Sequence, residues 1–487
     1  MFRLRARTGE TVYGSKYMRK TKIICTIGPA CNNVETLKKM CHAGMNVARL
    51  NFSHGTHEDH RKNIDMLKAV REELDIPLAI LLDTKGPEYR VGIFADGSAE
   101  LKVGDTFTFT TEDIIGDSKR VSVSYKNLAK ELRVGDTVLV NNGLLSFKVA
   151  ETTDTDIICR TVVGGTISNR KSMSFPGRVM KQVYLSEQDK KDIAFGVENG
   201  VDYIACSFVS VAQDVIDVKD YLRSLNCDNI SLIAKIENQS GVDNIEEICN
   251  ECAGIMIGRG DMGVEIPFEE VPAIQKRLIT KCRMLGKRVI TATEMLESMI
   301  VNQRPTRAEI SDIANAVFDG TSAIMLSGET AAGAHPVLCV ETMSRIAAQA
   351  EKSVDYKSIY YNTEFHIKNS MDAISHSVCA MSMDIGAKAI VVCSMSGTTA
   401  RMVSRFRSPV DIIGLSVNEK TKNQLALSWG VAPIMCDVYP SIEVLFYTAK
   451  QIAKEKFGLK PGDKIIITGS DRTGESGNTN TIRIATI

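Results

Sequence analysis

Two neighbouring stretches, Ser231-Leu-Ile-Ala-Lys-Ile-Glu-Asn238 and Gly254-Ile-Met-Ile-Gly-Arg-Gly-Asp261, carry the pattern that decides the fold. Each is a short apolar run that ends in charged or glycine-rich residues, and a longer segment with helical spacing separates them. The same unit recurs along the chain, with further apolar runs at residues 22–27, 46–50, 78–82, 202–208, 288–292 and 322–326. Near-continuous apolar strands alternating with helices imply a parallel sheet covered on both faces. Eight such strands suggest an α/β fold of the (β/α)8 TIM-barrel type.

The pattern changes after the third run. Between Tyr89 and Tyr184 the apolar residues alternate in short segments at 106–110, 121–125, 137–140, 145–149 and 156–163, punctuated by Gly104-Asp105, Gly135-Asp136 and Asn141-Asn142-Gly143. This predicts an inserted small β-barrel lid domain. A second α/β region begins near Glu351, with strands expected at 387–393, 411–417, 432–437, 464–469 and 481–486 in an open sheet. The expected organisation is a leader over 1–17, a catalytic barrel over 18–88 and 185–350, a lid over 89–184 and a C-terminal regulatory domain over 351–487.

Composition narrows the function. The chain has 487 residues, 44% hydrophobic and 24% charged, with 59 basic against 59 acidic side chains. That length fits about three domains. The zero balance argues against a nucleic-acid partner, which leaves a basic excess, but a compact cationic pocket would be invisible in the total. No apolar stretch is long enough for a membrane span. The basic start, Met-Phe-Arg-Leu-Arg-Ala-Arg, lacks the hydrophobic segment of a secretory signal. Thirteen scattered cysteines read as free thiols in a reducing compartment, hence a cytoplasmic location.

In barrel enzymes the chemistry sits at the C-terminal strand ends. The residues expected there are Arg49-Leu-Asn-Phe-Ser-His54, Asp83-Thr-Lys-Gly-Pro87, Lys235-Ile-Glu-Asn238, Gly258-Arg-Gly-Asp261, Thr293-Glu294 and Ser327-Gly-Glu329. Glu237 and Asp261 follow adjacent strands, so two hard oxygen ligands could share Mg²⁺ (or Mn²⁺). Arg49 and Lys235 supply positive charge for a phosphoryl group, whose transfer depends on positioning and electrostatics. Gly260 and Asp261 could open a helical turn whose N–H groups hold a carboxylate. The set suits a small substrate bearing both a carboxylate and a phosphate.

Other motifs in the sequence carry weaker signals. Gly258-Arg-Gly-Asp-Met-Gly263 matches a dinucleotide fingerprint, but Val264-Glu-Ile-Pro267 interrupts the helix that such a site needs. No P-loop sequence occurs. His57 and His60 are expected on a solvated helix start with Ser53 nearby as a cap. Cys249-Asn-Glu-Cys252 lacks a second pair to complete a zinc site. Met295 and Met299 are expected in packing.

The motifs Arg19-Lys-Thr-Lys-Ile-Ile-Cys-Thr-Ile-Gly-Pro29, Ala48-Arg-Leu-Asn-Phe-Ser-His54 and Leu82-Asp-Thr-Lys-Gly-Pro-Glu88 resemble the pyruvate kinase family. So do Ala234-Lys-Ile-Glu-Asn238, Gly258-Arg-Gly-Asp-Met-Gly263, Thr291-Ala-Thr-Glu-Met-Leu-Glu-Ser-Met299 and Met325-Leu-Ser-Gly-Glu-Thr-Ala331, in the family's order. The resemblance runs from about Met18 to the C-terminus. It implies transfer of the phosphoryl group of phosphoenolpyruvate to ADP, giving pyruvate and ATP. Arg49 would bind the phosphoryl group and Lys235 would stabilise it in transfer. Asn51, Ser53, Asp83 and the Thr84 carbonyl would hold K⁺, and Glu237 and Asp261 would hold Mg²⁺. Gly260, Asp261 and Thr293 would hold the substrate carboxylate, and Thr293 would help deliver a proton through water. His54, Arg90 and Lys171 match positions near the nucleotide phosphates. Glu88 accompanies K⁺ dependence in the family, where a lysine otherwise replaces the ion's charge.

Ser394-Met-Ser-Gly-Thr-Thr399 follows an apolar strand and precedes a helix, an arrangement suited to an anion. The Gly469–Gly477 loop could close over it, and the family resemblance implies a sugar-phosphate or AMP effector at Ser394, Ser396, Gly397, Thr398 and Thr399, although this loop is about two residues longer than in the family. Met395 departs from the charged residue that some members carry there. The family also implies a homotetramer. A rival reading is a Mg²⁺-dependent aldolase or another barrel that forms a pyruvate enolate, which would share Glu237 and Asp261; Arg49, the Lys235 position and the K⁺ set argue against it. A second rival is an effector-binding protein that has lost catalysis, against which no leading catalytic position is replaced.

Overall fold

The computed structural model describes residues 19–178, 180–470 and 479–487. Eight parallel strands close into a barrel: Lys22–Thr26, Val47–Asn51, Ala79–Asp83, Tyr203–Cys206, Ser231–Ile236, Gly254–Gly258, Arg288–Ala292 and Ala323–Leu326. The first strand pairs with both the second and the last, which leaves no open edge. All eight apolar runs became strands because both faces of each are buried. Successive residues alternate between two cores. Ile24, Val47, Leu81, Tyr203, Ile233, Met256 and Ile290 fill the interior, while Ile23, Ala48, Leu82, Ile204 and Ile255 face the surrounding helices.

The bottom of the barrel is closed by the C-terminal domain. Ala426 and Leu427, both essentially inaccessible, join the interior cluster. Arg288 Nη2 donates to the Gln424 carbonyl at 3.3 Å, and Gln424 Nε2 donates to the carbonyls of Asp202 at 3.1 Å and Asn229 at 2.9 Å. This plug leaves the opposite end, where the strands terminate, as the open face.

The insertion after Ala79–Asp83 forms a seven-stranded sheet and a two-stranded ribbon. The edge strands of the sheet, Tyr89–Arg90 and Arg120–Ser122, approach one another through a Val91–Val123 bridge, so the sheet curls toward closure. Phe107, Phe109 and Phe147 fill it in tilted and edge-to-face contacts. The strand expected over 121–125 ends instead at Ser122, and the chain turns into a short helix, Leu128–Glu131, where Tyr125 donates to Glu131 Oε1 at 2.6 Å. The C-terminal domain has strands Ala389–Cys393, Asp411–Ser416, Val431–Met435, Lys464–Gly469 and Thr481–Thr486 in one open sheet, the last antiparallel to its neighbour.

The helix after the second strand, His57–Leu74, is capped by Thr56 rather than Ser53. Thr56 and Asp59 form a reciprocal capping box. His60 is buried rather than solvated, stacked on Phe52 with ring centroids 3.9 Å apart, and its Nε2 meets the His54 carbonyl at 2.9 Å. His57 pairs with Asp192 at 2.6 Å. All thirteen cysteines are free, and Met295 and Met299 are fully buried. Among the described residues no helix is long and apolar enough to cross a membrane, and no group of three or more histidine, cysteine or carboxylate side chains is arranged for a metal ion.

Candidate active site

Strand register brings the cationic and acidic side chains together at the open end of the barrel. Asn51 and Asp83 are direct partners on adjacent strands. Asp83 is inaccessible and serves as the hub. Its Oδ2 accepts from Arg49 Nε at 2.6 Å, and its Oδ1 lies 3.2 Å from Lys235 Nζ and accepts from Ser207 Oγ at 3.2 Å. Burial opposes the charge on Asp83, but Lys235 and Arg49 more than offset it and hold the carboxyl below its usual range.

Lys235 also reaches Glu237 Oε1 at 3.1 Å and donates to Ser207 Oγ at 2.7 Å. Burial pulls its pKa down, while Asp83 and Glu237 carry it above the ordinary ammonium value, so Lys235 is a fixed cation. Arg49 Nη1 donates to Thr26 Oγ1 at 2.9 Å. Two cations from separate strands are thus aligned by one buried carboxylate.

Glu237 is buried beside the glycine at the end of the next strand. A Cβ on Gly258 would lie 2.6 Å from Glu237 Oε1, so only glycine leaves this carboxylate in place. The Phe208 N–H donates to Glu237 Oε2 at 2.8 Å. Burial raises Glu237 to about 7, with Lys235 opposing and the negative charge of Asp261 adding to the rise. Asp261 itself is exposed in the first turn of the short helix Arg259–Glu265. Two carboxylates sharing one region, one of them strained toward neutrality by burial, form a donor set that fits a small divalent cation. Asn51, Ser53, Asp83 and the Thr84 carbonyl offer only hard oxygens, which fit an alkali cation. The Asn51 side chain accepts from the Ser53 N–H at 3.1 Å, and Ser207 Oγ donates to the Thr84 carbonyl at 2.7 Å.

Thr293 follows the strand Arg288–Ala292 with φ at 70°, and Glu294 follows at 54°. A β-branched residue in the left-handed region is strained and persists only where its surroundings impose it. The surroundings do so here. The Gly260 N–H donates to Thr293 Oγ1 at 3.0 Å, and the hydroxyl donates to the Ala292 carbonyl at 2.7 Å. The Arg259 guanidinium donates to the Thr293 carbonyl while its Nη1 grips both oxygens of Asp312 at 2.8 and 2.7 Å.

Arg90 and Lys171 lie together at the lid edge, where Arg90 pairs with Ser172 and the Lys171 carbonyl accepts from the Val91 N–H at 2.9 Å. Glu88 sits between cations, 2.9 Å from Arg90 Nη2 and 3.4 Å from Lys85 Nζ. His54 is exposed on the barrel side, and among the described residues no hydrogen bond or ion pair joins it to Arg90 or Lys171. A cleft of about 660 Å³ separates lid and barrel, lined by Tyr89, Phe175, Tyr184, Phe208, Asn238 and Glu265 among others. A Cβ on Gly143 of the insertion would lie 3.7 Å from Val264 Cγ1. The lid therefore touches the same short helix that carries Asp261.

In the C-terminal domain Gly397 adopts a left-handed φ of 72° immediately before the helix Thr398–Ser404. Ser394, at the strand end, donates its N–H to the Leu415 carbonyl at 3.1 Å. Ser396 Oγ lies 3.1 Å from Thr398 Oγ1, and Thr399 Oγ1 lies 2.6 Å from Thr479 Oγ1. Most of the loop expected to close over this region, along with the leader, lies outside the described residues.

Sequence reading had not assigned a role to Ser207, Arg259 or Asp312. Ser207 directly follows the strand Tyr203–Cys206, and its place at a barrel strand end was the available signal.

The chain was compared with known proteins. A family described as "Pyruvate kinase, barrel domain" matches residues 18–340, and "Pyruvate kinase, alpha/beta domain" matches residues 372–485. The chain is 45% identical over 474 residues to pyruvate kinase of Clostridium perfringens, covering 96% of this chain and all of that one. It is 45% identical over 470 residues to pyruvate kinase of Staphylococcus aureus strain MRSA252, covering 96% of this chain and 80% of that one. A crystal structure of a pyruvate kinase from Cryptosporidium parvum superposes with a TM-score of 0.91 at 40% identity, covering 96% of each chain. With two domain matches in order and near-full-length relatives, this chain belongs to the pyruvate kinase family of phosphotransferases.

Proposed function

We propose that this chain transfers the phosphoryl group of phosphoenolpyruvate to ADP, forming pyruvate and ATP, at the site centred on Asp83, Lys235 and Glu237. The observation that carries this reading is the pair of cations, Arg49 and Lys235, held by opposite oxygens of buried Asp83. In the reaction an oxygen of the ADP β-phosphate attacks phosphorus and the bond from phosphorus to the enol oxygen breaks. The electron pair stays on the pyruvate enolate, whose methylene carbon then takes a proton.

Arg49 binds the phosphoryl group in the ground state and Lys235 stabilises its charge in transfer, each pre-oriented so that no reorganisation is needed at the moment of reaction. Gly260, Asp261 and Thr293 orient the substrate carboxylate. Thr293 directs the proton to the methylene carbon through water. His54, Arg90 and Lys171 receive the nucleotide phosphates, and the lid closes over the cleft to exclude water. When bound at Glu237 and Asp261, Mg²⁺ (or Mn²⁺) supplies charge neutralisation for the anionic substrates. Asn51, Ser53, Asp83 and the Thr84 carbonyl would hold K⁺, which would supply a monovalent positive charge near Arg49. Glu88 is an anion and cannot supply that positive charge itself; it pairs with Arg90 and Lys85.

The hydroxyls of Ser394, Ser396, Thr398 and Thr399 around Gly397 support control by a phosphorylated sugar or AMP. Titrating such compounds against phosphoenolpyruvate saturation tests this, and an unchanged saturation curve with all of them contradicts it. The catalytic reading is tested by following pyruvate with single omissions of ADP, Mg²⁺ and K⁺. Each omission is expected to abolish or strongly reduce the rate. A rate independent of ADP would favour enolate chemistry without phosphoryl transfer, and full activity in K⁺-free Na⁺ or Tris buffer would remove the K⁺ site.

A further inference from the structure

At the bottom of the barrel, far from the strand ends, five cationic side chains from two domains converge on one small void. Lys287 and Arg288 come from the barrel, and Arg401, Arg405 and Arg407 from the C-terminal domain. Space for the centre of a water-sized sphere is about 10 Å³, enough for a single small species. Among the described residues, one carboxylate forms an ion pair with this group: Asp372, 3.0 Å from Arg405 Nη2.

The remaining guanidinium contacts are to neutral groups. Arg407 donates to the carbonyls of Gly320 at 2.9 Å and Ser404 at 2.8 Å and lies over Trp429. Arg288 donates to Ser428 Oγ at 3.2 Å and the Gln424 carbonyl, and lies over Tyr203. Arg401 donates to Thr398 Oγ1 at 3.2 Å, and Lys287 donates to the Cys252 carbonyl at 2.8 Å.

Among the described residues, two donors of this cluster have no partner. Arg288 is 5% exposed and its Nη1 is buried without a hydrogen bond, and Arg405 is 7% exposed with Nε in the same condition. A buried donor left unmatched carries its full desolvation cost, and a buried unpaired charge carries more. A guanidinium cannot escape that cost by losing its proton. Burial, with Arg283 adding to it, drives Arg407 down to about 9, and burial with Arg288 drives Arg401 to about 10. The cluster is short of negative charge.

We propose that a monatomic anion of the chloride class binds between the barrel and the C-terminal domain, held by Arg288 and Arg405 among the surrounding cations. The void holds about one water-sized species, which excludes a tetrahedral oxyanion unless the domains separate. The hydroxyls of Ser322 and Ser428, which accept from Arg407 and Arg288, border the same space and keep an O–H to donate, whereas Ser404 donates its own to the Trp429 carbonyl at 2.6 Å. The anion completes the charge balance of the domain contact and stabilises it. Arg288 opens the strand whose far end precedes Thr293, so the site adjoins the element that carries the substrate-orienting residue. The inference does not depend on the catalytic reading.

The test is thermal stability of the full chain in potassium chloride against potassium gluconate, at equal K⁺ and ionic strength. Chloride is expected to raise Tm saturably, by about 1 °C for each kcal/mol of linkage in a chain of this length, and Arg288→Met is expected to remove the dependence. Bromide-soaked crystals of the unaltered protein give a readout that does not rely on any variant folding, with an anomalous peak expected between Arg288 and Arg405. Equal Tm in chloride and gluconate, a chloride response retained in Arg288→Met, a larger response to phosphate than to chloride, or no bromide at that place would each overturn the proposal.

Discussion

Arg259 holds Thr293 by its backbone: the guanidinium donates to the Thr293 carbonyl while Asp312 grips its other edge. This contact helps impose the strained φ of 70° that Thr293 shows.

Asp312 is therefore a positioning residue. Asp312→Asn keeps the shape but removes the charge that anchors Arg259. The expected result is roughly a tenfold higher KM for phosphoenolpyruvate and a lower kcat, as small displacements of orienting groups are costly. The KM for ADP should not move. Steady-state kinetics with each substrate varied separately checks this, and equal changes in both KM values would point to a general structural defect.

Gly258→Ala probes the carboxylate beside it. The added Cβ would meet Glu237 Oε1 at 2.6 Å. If Glu237 holds Mg²⁺ as proposed, displacing it in this way should raise the Mg²⁺ concentration for half-maximal activity by about tenfold or more. Activity titrated with Mg²⁺, and Mn²⁺ binding followed by electron paramagnetic resonance, measure the effect. An unchanged midpoint would place the metal elsewhere.

Lys22 gives a pH-dependent prediction. It is buried below the barrel, donates to the Val431 carbonyl at 2.8 Å, and burial followed by repulsion from Arg19 lowers it to about 7. Unfolding restores an ordinary lysine, so between pH 7 and the unfolded value the unfolded chain binds more protons and stability rises with pH. Below pH 7 the full penalty is present, roughly 5 kcal/mol at most by the size of the shift. Lys22→Met should raise Tm at pH 6 to 7, with the gain shrinking toward pH 10. A gain that is constant with pH would contradict the assignment.

The eight barrel strands were legible because runs such as Ser231–Ile236 and Gly254–Gly258 are buried on both faces and leave almost unbroken apolar sequence. The lid was only partly legible. Its strands Tyr89–Arg90, Gly165–Ser168 and Ser172–Ser174 span two to four residues, too few alternations to mark them. At the candidate site, place and residue type together point to Arg49, Lys235, Glu237 and Asp261, cations and carboxylates that lie at or just after the ends of barrel strands. Ser207 was missed because a serine after a strand reads as an ordinary turn, and its contacts to Thr84 and Lys235 arise from residues distant in sequence. His60 was misjudged because helix position alone does not reveal the Phe52 ring stacked on it.

The most direct test of the account concerns Lys235, whose ammonium joins Asp83 and Glu237. Lys235→Met should lower pyruvate formation from phosphoenolpyruvate and ADP by about 10²–10³-fold, the effect of losing one transition-state stabilising donor. Exchange of the methyl hydrogens of pyruvate with solvent, followed by NMR in deuterated buffer with Mg²⁺ and K⁺, should persist, since Thr293 and its supports are intact. Equal loss of both reactions, or retention of both, would contradict the assignment of phosphoryl transfer to Lys235.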